Sequence, residues 1–325
     1  MSLQSVRPDG GIVPCLHVDV ERQYPSSFLE SANSGFKIVR NARAEDGAQS
    51  KFLRLLEIKM ESKDIQRDEA CTESSIVEKD RLFAEDERKV SAFFQVRVSE
   101  VSYFPASPPV SAVLRVWGID EESLHLFSEG HRLKLLGVLV SKPFGADTRI
   151  RLSTCRSSAA LPFRSSACSM YAPRANTMFD TLNSLKIKEE FDIVACLIAV
   201  GEPYESQNRF LSSTARQLFF ATPDFILAVE CVENDEMMFS SQLFRPNQLF
   251  TVCNLQCGSY HERCRVANAT VSRETVFSTK PHRSMPLAES FAELQLWMQS
   301  SIGREHLAKC SQRVTALLNG NVLDD

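Results

Sequence analysis

Arg132 and Lys134 alternate with apolar residues, and Arg149 and Arg151 do so again further along. In extended chain, residues two apart project from one face, so each pair presents two cations on the same side. Lys142, Arg156 and Arg164 complete a stretch, 132–164, in which Asp147 is the sole acidic residue. A row of cations is what a groove tracking a phosphate backbone requires. Binding of unpaired bases also requires flat π-surfaces. In the first half of the chain Trp117 and Phe144 supply them; in the second, Phe219 and Tyr260 do, with Arg263 beside the latter. A strand aromatic serves equally well as core, and Trp117 and Phe219 fit either role. Phe93 and Phe94 are adjacent and must face opposite ways. The basic stretch also has an ordinary reading, as a solvated charged face.

Other groupings are poorer in chemistry. Cys253, Cys257, His261 and Cys264 have the residue types of a zinc site, but their spacing belongs to no standard zinc module. Alternation would put Cys253, Leu255 and Cys257 on one strand face, as packed thiols. His17 and Asp19 stand two apart with no nucleophile motif or glycine-rich phosphate loop beside them, so a cross-strand polar pair is expected and no catalysis. Phe225-Ile-Leu-Ala228 sits in an apolar strand and is expected to be buried. No metal or cofactor is expected.

The 325 residues are 43% hydrophobic and 24% charged, with 37 Lys and Arg against 41 Asp and Glu. That composition excludes collagen-like and wholly disordered chains, and the longest apolar run, 193–200, is far short of a membrane span. No membrane association is expected. Arg7 and Asp9 fall where a signal peptide would have its apolar stretch. Ten scattered cysteines suit a reducing compartment, which makes the Asn268-Ala-Thr270 sequon a chance match. A net charge of −4 speaks against nucleic acid until it is divided along the chain. Residues 91–190 hold 12 basic and 9 acidic groups, 43–90 hold 10 and 13, and 191–325 hold 11 and 15. Only the body of the first half is positive.

The elements that must position these residues follow from periodicity. Strands are expected at 12–24, 92–104, 111–118, 132–140 and 148–154, with a short helix at 121–127. The same order returns at 191–201, 216–221, 225–232, 248–257 and 264–271, with a helical piece near 235–241. Five strands with a helix between the third and fourth describe an OB-fold. The fold class is thus mainly β: two tandem OB-fold barrels. The first comprises 1–42 plus 91–156, the second 191–280. Between them 157–190, rich in Ser, Ala and Pro, reads as a linker. Residues 43–90 have helical spacing in two runs and are expected as an antiparallel helical hairpin with arms of roughly 30 Å. Residues 281–325 hold two C-terminal helices, 287–299 and 303–318. Strands four and five are neighbours in this fold, so Arg132, Lys134, Arg149 and Arg151 would form one patch.

The run 9–46, with Asp9-Gly10-Gly11, Cys15, Arg22, Tyr24-Pro25, Glu30, Ser34-Gly35, Ile38, Arg40-Asn41 and Arg43, resembles the start of the second OB-fold in the DNA-binding region of the breast-cancer type 2 susceptibility protein family. Residues 113–135 and 253–257 are similar to pieces of its second and third OB-folds. The resemblance implies that the hairpin is a short form of the family's tower, without its three-helix cap. It implies a non-catalytic, nuclear single-stranded-DNA-binding module of a homologous-recombination mediator, which helps load a RecA-type recombinase in double-strand-break repair. The family's helical domain, first OB-fold and recombinase-binding repeats would precede Met1, implying a fragment or reduced homologue with the recombinase held through regions outside it. The alternative is an interaction scaffold, since the family's second OB-fold helps hold a small acidic disordered partner. The expected nucleic-acid contacts are Trp117, Arg132, Lys134, Lys142, Phe144, Arg149, Arg151, Phe219, Tyr260 and Arg263.

Overall fold

The computed structural model describes residues 2–7, 10–31, 36–67, 88–101, 110–141, 150–163, 173–206, 213–233, 244–261, 265–281 and 287–318. The chain divides into two units, Met1–Ala172 and Pro173–Asp325.

Unit 1 contains β1 (Ile12–Gln23), β2 (Ser27–Ser31), β3 (Lys37–Asn41), α1 (Ala42–Arg67), β4 (Lys89–Glu100), β5 (Ser111–Trp117), α2 (Glu121–Leu126), β6 (Arg132–Ser141), β7 (Ile150–Ser153) and β8 (Ala159–Pro162). Strands β1, β6, β7, β5 and β4 pair in that order, and β4 pairs back to β1, closing a five-stranded barrel. The β5–β7 pairing is parallel and the others antiparallel. Alternation fills the barrel with Leu16, Val18, Phe94, Val96, Val98, Leu114, Leu133, Leu135 and Leu152. The barrel strands and α2 lie where periodicity puts them. Asp120 starts α2 by accepting the backbone N–H of Ser123 at 2.7 Å.

Two features of unit 1 escaped the sequence pattern. The hairpin β2–β3 extends the sheet beyond β4. Strand β8 pairs with β6 inside the stretch expected as a linker. Gly137, at φ +63°, divides β6: Leu133 and Leu135 face inward before it, Val138 after it. The half before it pairs with β8, and only 139–141 pair with β7.

Helix α1 leaves the hairpin directly. Its 26 residues reach about 39 Å. Asn41 caps it, its Oδ1 accepting the N–H of Ala44 at 2.8 Å. At its base Arg88 donates to Glu30 from Nε at 2.8 Å and to Glu45 from Nη2 at 3.0 Å, while Arg40 also pairs with Glu30. Most of the hairpin's second arm lies outside the described residues, and Val90, expected at its end, belongs to β4 instead.

Unit 2 contains α3 (Phe179–Ser184), β9 (Glu190–Val200), β10 (Tyr204–Ser206), β11 (Ser213–Ala221), β12 (Ile226–Glu233), β13 (Gln248–His261), β14 (Val266–Thr270), β15 (Val276–Ser278), α4 (Ala288–Gln299) and α5 (Ser301–Leu318). A second five-stranded barrel closes through β9, β11, β12, β14 and β13, with β12–β14 parallel. The two C-terminal helices are as expected; the helical piece near 235–241 lies outside the described residues. Phe179 and Leu182 of α3, also within the expected linker, pack into this barrel's core.

The face shared by Cys253, Leu255 and Cys257 does not form. Asn254 adopts φ +59° and the β13–β9 register shifts between Val252 and Leu255. Leu255 and Cys257 therefore enter the barrel core, and Cys253 turns outward against α4. Asn254 is held by a buried network: its N–H donates to Asp192 Oδ1, its Oδ1 accepts from Arg174, and its Nδ2 donates to the Glu274 carbonyl, each at 2.8 Å.

Candidate nucleic-acid interface

On the outer face of barrel one, β4 contributes Phe93, Gln95 and Arg97, β5 contributes Val113, Arg115 and Trp117, and β7 contributes Arg151 and Ser153, in mutual register. Phe93 faces outward yet is almost fully buried, because its neighbours lie over it. The Trp117 ring lies 5.3 Å from that of Phe93. The Arg115 guanidinium is over both, 4.6 Å from Phe93 and 5.5 Å from Trp117. Trp117 Nε1 donates to Ser153 Oγ at 3.0 Å, and its backbone N–H donates to Thr154 Oγ1 at 3.0 Å. The indole is thus anchored through Nε1, and its backbone through Thr154, while 37% of Trp117 stays exposed. Gly118, at φ +85°, turns the chain away immediately afterwards.

The electrostatics of this face rest on a few groups. Arg97 pairs with Glu21 at 2.9 Å. Arg115 has no ion pair among the described residues, and its Nε is buried without a hydrogen bond. Burial, and then the positive charge of Arg151, hold the Arg115 guanidinium below its ordinary range. These strands correspond to the second, third and fifth of an OB barrel, and the second and third carry its ligand face. Arg115 and Ser153 were missed by sequence reading. Their two-residue spacing from Trp117 and Arg151 was the available signal.

The other expected contacts separate. Arg132 pairs with Asp19 rather than standing free: Nε to Oδ1 at 2.7 Å and Nη2 to Oδ2 at 3.0 Å, both side chains nearly buried. Lys134 lies opposite His17 on β1, and the His17 ring stacks on Phe163 at 4.1 Å. Burial, and then the Lys134 charge, lower the His17 pKa. Arg151 pairs across to Ser141, seven positions beyond Lys134, about 23 Å along β6. The single four-cation patch is therefore corrected to two sites, because β6 meets β7 only beyond Gly137. Lys142, Phe144, Arg149 and Arg263 lie outside the described residues.

In unit 2 Phe219 is not a platform. It is buried with Ile198, Ala221, Ile226 and Ala228 beneath Cys310 and Val314 of α5. Helix α4 likewise covers Val194, Leu249 and Cys253 with Leu287 and Leu294. The face that β11 and β12 would offer a ligand is occupied by the chain itself. Tyr260, expected in a loop, lies within the last residues of β13; it is 41% exposed and meets Phe179 edge-on at 6.5 Å. Arg265, across the turn, lies 5.4 Å from the same Phe179 ring. Unit 2 thus offers Tyr260 and Arg265 at one end of its barrel.

The family model for BRCA2, oligonucleotide/oligosaccharide-binding, domain 3, matches residues 174–320, which is almost all of unit 2. Over that stretch the resemblance to this family holds. Among solved structures, the chain is similar to a replication protein A heterotrimer bound to single-stranded DNA, with 8% identity and a TM-score of 0.42 over 93% of this chain and 55% of that one. It is also similar to DNA-binding domain A of Saccharomyces cerevisiae replication protein A, with 13% identity and a TM-score of 0.28 over 32% of this chain and 94% of that one. The chain spans just over half the length of the heterotrimer chain it matches.

Proposed function

We propose that this chain is a single-stranded-DNA-binding module of a homologous-recombination mediator, acting by binding rather than by catalysis. The observation that carries the reading is the exposed Trp117 ring, held in place beside Arg115 and Arg151 on the OB ligand face of barrel one. Ring and cations together suit an unpaired nucleotide. Barrel two contributes less, through Tyr260 and Arg265. The match of 174–320 to an oligonucleotide-binding domain supports the reading.

In its finer form, the module works in the nucleus and helps load a RecA-type recombinase onto single strands in double-strand-break repair. An acidic disordered partner of the family's kind would join through unit 1. The first test is fluorescence anisotropy of labelled oligo-dT, with Trp117→Leu as the probe variant. Strong loss of affinity supports the site; wild-type binding refutes it. The second is whether the protein speeds recombinase assembly on strands already coated by a single-strand-binding protein. No acceleration would leave a DNA-binding module without the mediator role.

A further inference from the structure

We propose that Arg115 is the seat of one phosphate of the nucleotide whose base lies on Trp117. This rests on the reading of the Trp117 face as a single-strand site and assigns the anion within it. Other cations of the same barrel are neutralised: Arg132 by Asp19, Arg97 by Glu21, Arg88 by Glu30 and Glu45. Arg115 has no carboxylate partner among the described residues. It is half-buried, lies over two aromatic rings, and has Arg151 beside it on β7, where Val113 and Arg151 stand in register. A buried guanidinium donor left without a hydrogen bond is costly, and an anion reaching Arg115 would offset that cost.

The ring pair also preorganises the group. Packed over Phe93 and Trp117, the Arg115 side chain has already lost freedom that a surface lysine would lose on binding. The anion is a phosphodiester rather than a peptide carboxylate because its neighbour is a flat indole face, the ring centre 5.5 Å from the guanidinium, on a residue that stays partly exposed. A base would cover that face; an acidic side chain would not.

The test is oligo-dT binding measured across a salt series for wild type, Arg115→Met, Arg115→Lys and Trp117→Leu, each checked for an unchanged melting profile. Arg115→Met is expected to bind about tenfold more weakly, with a log affinity against log salt slope shallower by about 0.7, the value of one single-strand phosphate. Arg115→Lys, keeping the charge, is expected to retain the slope. An unchanged slope in Arg115→Met overturns the seat. If Trp117→Leu still loses affinity in that case, the single-strand reading survives; if it too binds as wild type does, that reading fails as well. A measurement on the unaltered chain covers a Met variant that does not fold: the Arg115 Nε–H magnetic-resonance signal, assigned with the Lys variant. It should move on addition of oligo-dT and stay still with polyglutamate. No movement with oligo-dT overturns the seat, and movement with polyglutamate alone overturns it in favour of an acidic peptide.

Discussion

The Arg132 guanidinium lies fork to fork against the Asp19 carboxylate, across the β1–β6 pairing and nearly out of contact with water. Breaking a buried pair by removing one partner leaves the other charge uncompensated, at a cost of about 3–5 kcal/mol. Arg132→Met should therefore lower the unfolding free energy of unit 1 by that order in a denaturant titration. Its salt slope for oligo-dT should match the wild type's, which separates a structural cation from a binding one.

Trp117 and Phe219 give opposite expectations. Base stacking on an aromatic is worth about 1–3 kcal/mol, so Trp117→Leu should weaken oligo-dT binding roughly 5- to 150-fold at nearly unchanged stability. Phe219→Leu should leave affinity alone and lower the melting temperature of unit 2, because it opens space beneath Cys310 and Val314. Anisotropy and calorimetry on the same two variants check both.

The base of α1 should respond to acid. Hydrogen bonds from Arg88, and then from Arg40, pull the Glu30 carboxyl from its ordinary 4.5 to about 2. A depressed carboxylate contributes stability that is fully present above pH 4.5 and is lost as pH falls toward 2. Allowing for solvent screening, that contribution is about 2 kcal/mol. Amide exchange in the first turn of α1 should therefore accelerate between pH 4.5 and 2, while the acid response is blunted in Glu30→Gln.

Among the described cysteines, Cys155 should react first with alkylating reagents. Hydrogen bonding to Ser157, and then to Ser158, lowers its thiol to about 7. Burial pushes Cys196 up to about 12. Peptide mapping after brief treatment at pH 7.5 should find Cys155 labelled well ahead of Cys196, Cys253, Cys257 and Cys310.

The barrels were legible because alternation is local: each strand announces its own inward face, and a closed set of five strands occurs in both units. The site was legible only in part. Trp117 and Arg151 were marked by residue type, but the loss of Arg132 to Asp19 depends on a residue 113 positions away. Phe219 was misjudged for a similar reason. The helix that buries it has Leu307, Cys310 and Val314 on one stripe, a pattern that signals a covered partner without naming it. The Cys253 turn came from one asparagine. Asn254 in an otherwise apolar run was the signal of a left-handed residue, and a single such residue exchanges the two faces of a strand.

Helix α5 completes a domain whose strands are otherwise finished by residue 278. A chain interrupted near residue 300 would build every strand of the second barrel and then present Ile198, Phe219, Ile226 and Ala228 to water as one oily sheet. The damage from such an early stop would be clumping and clearance by proteases, with the Trp117 face of the first barrel left intact in a short-lived molecule.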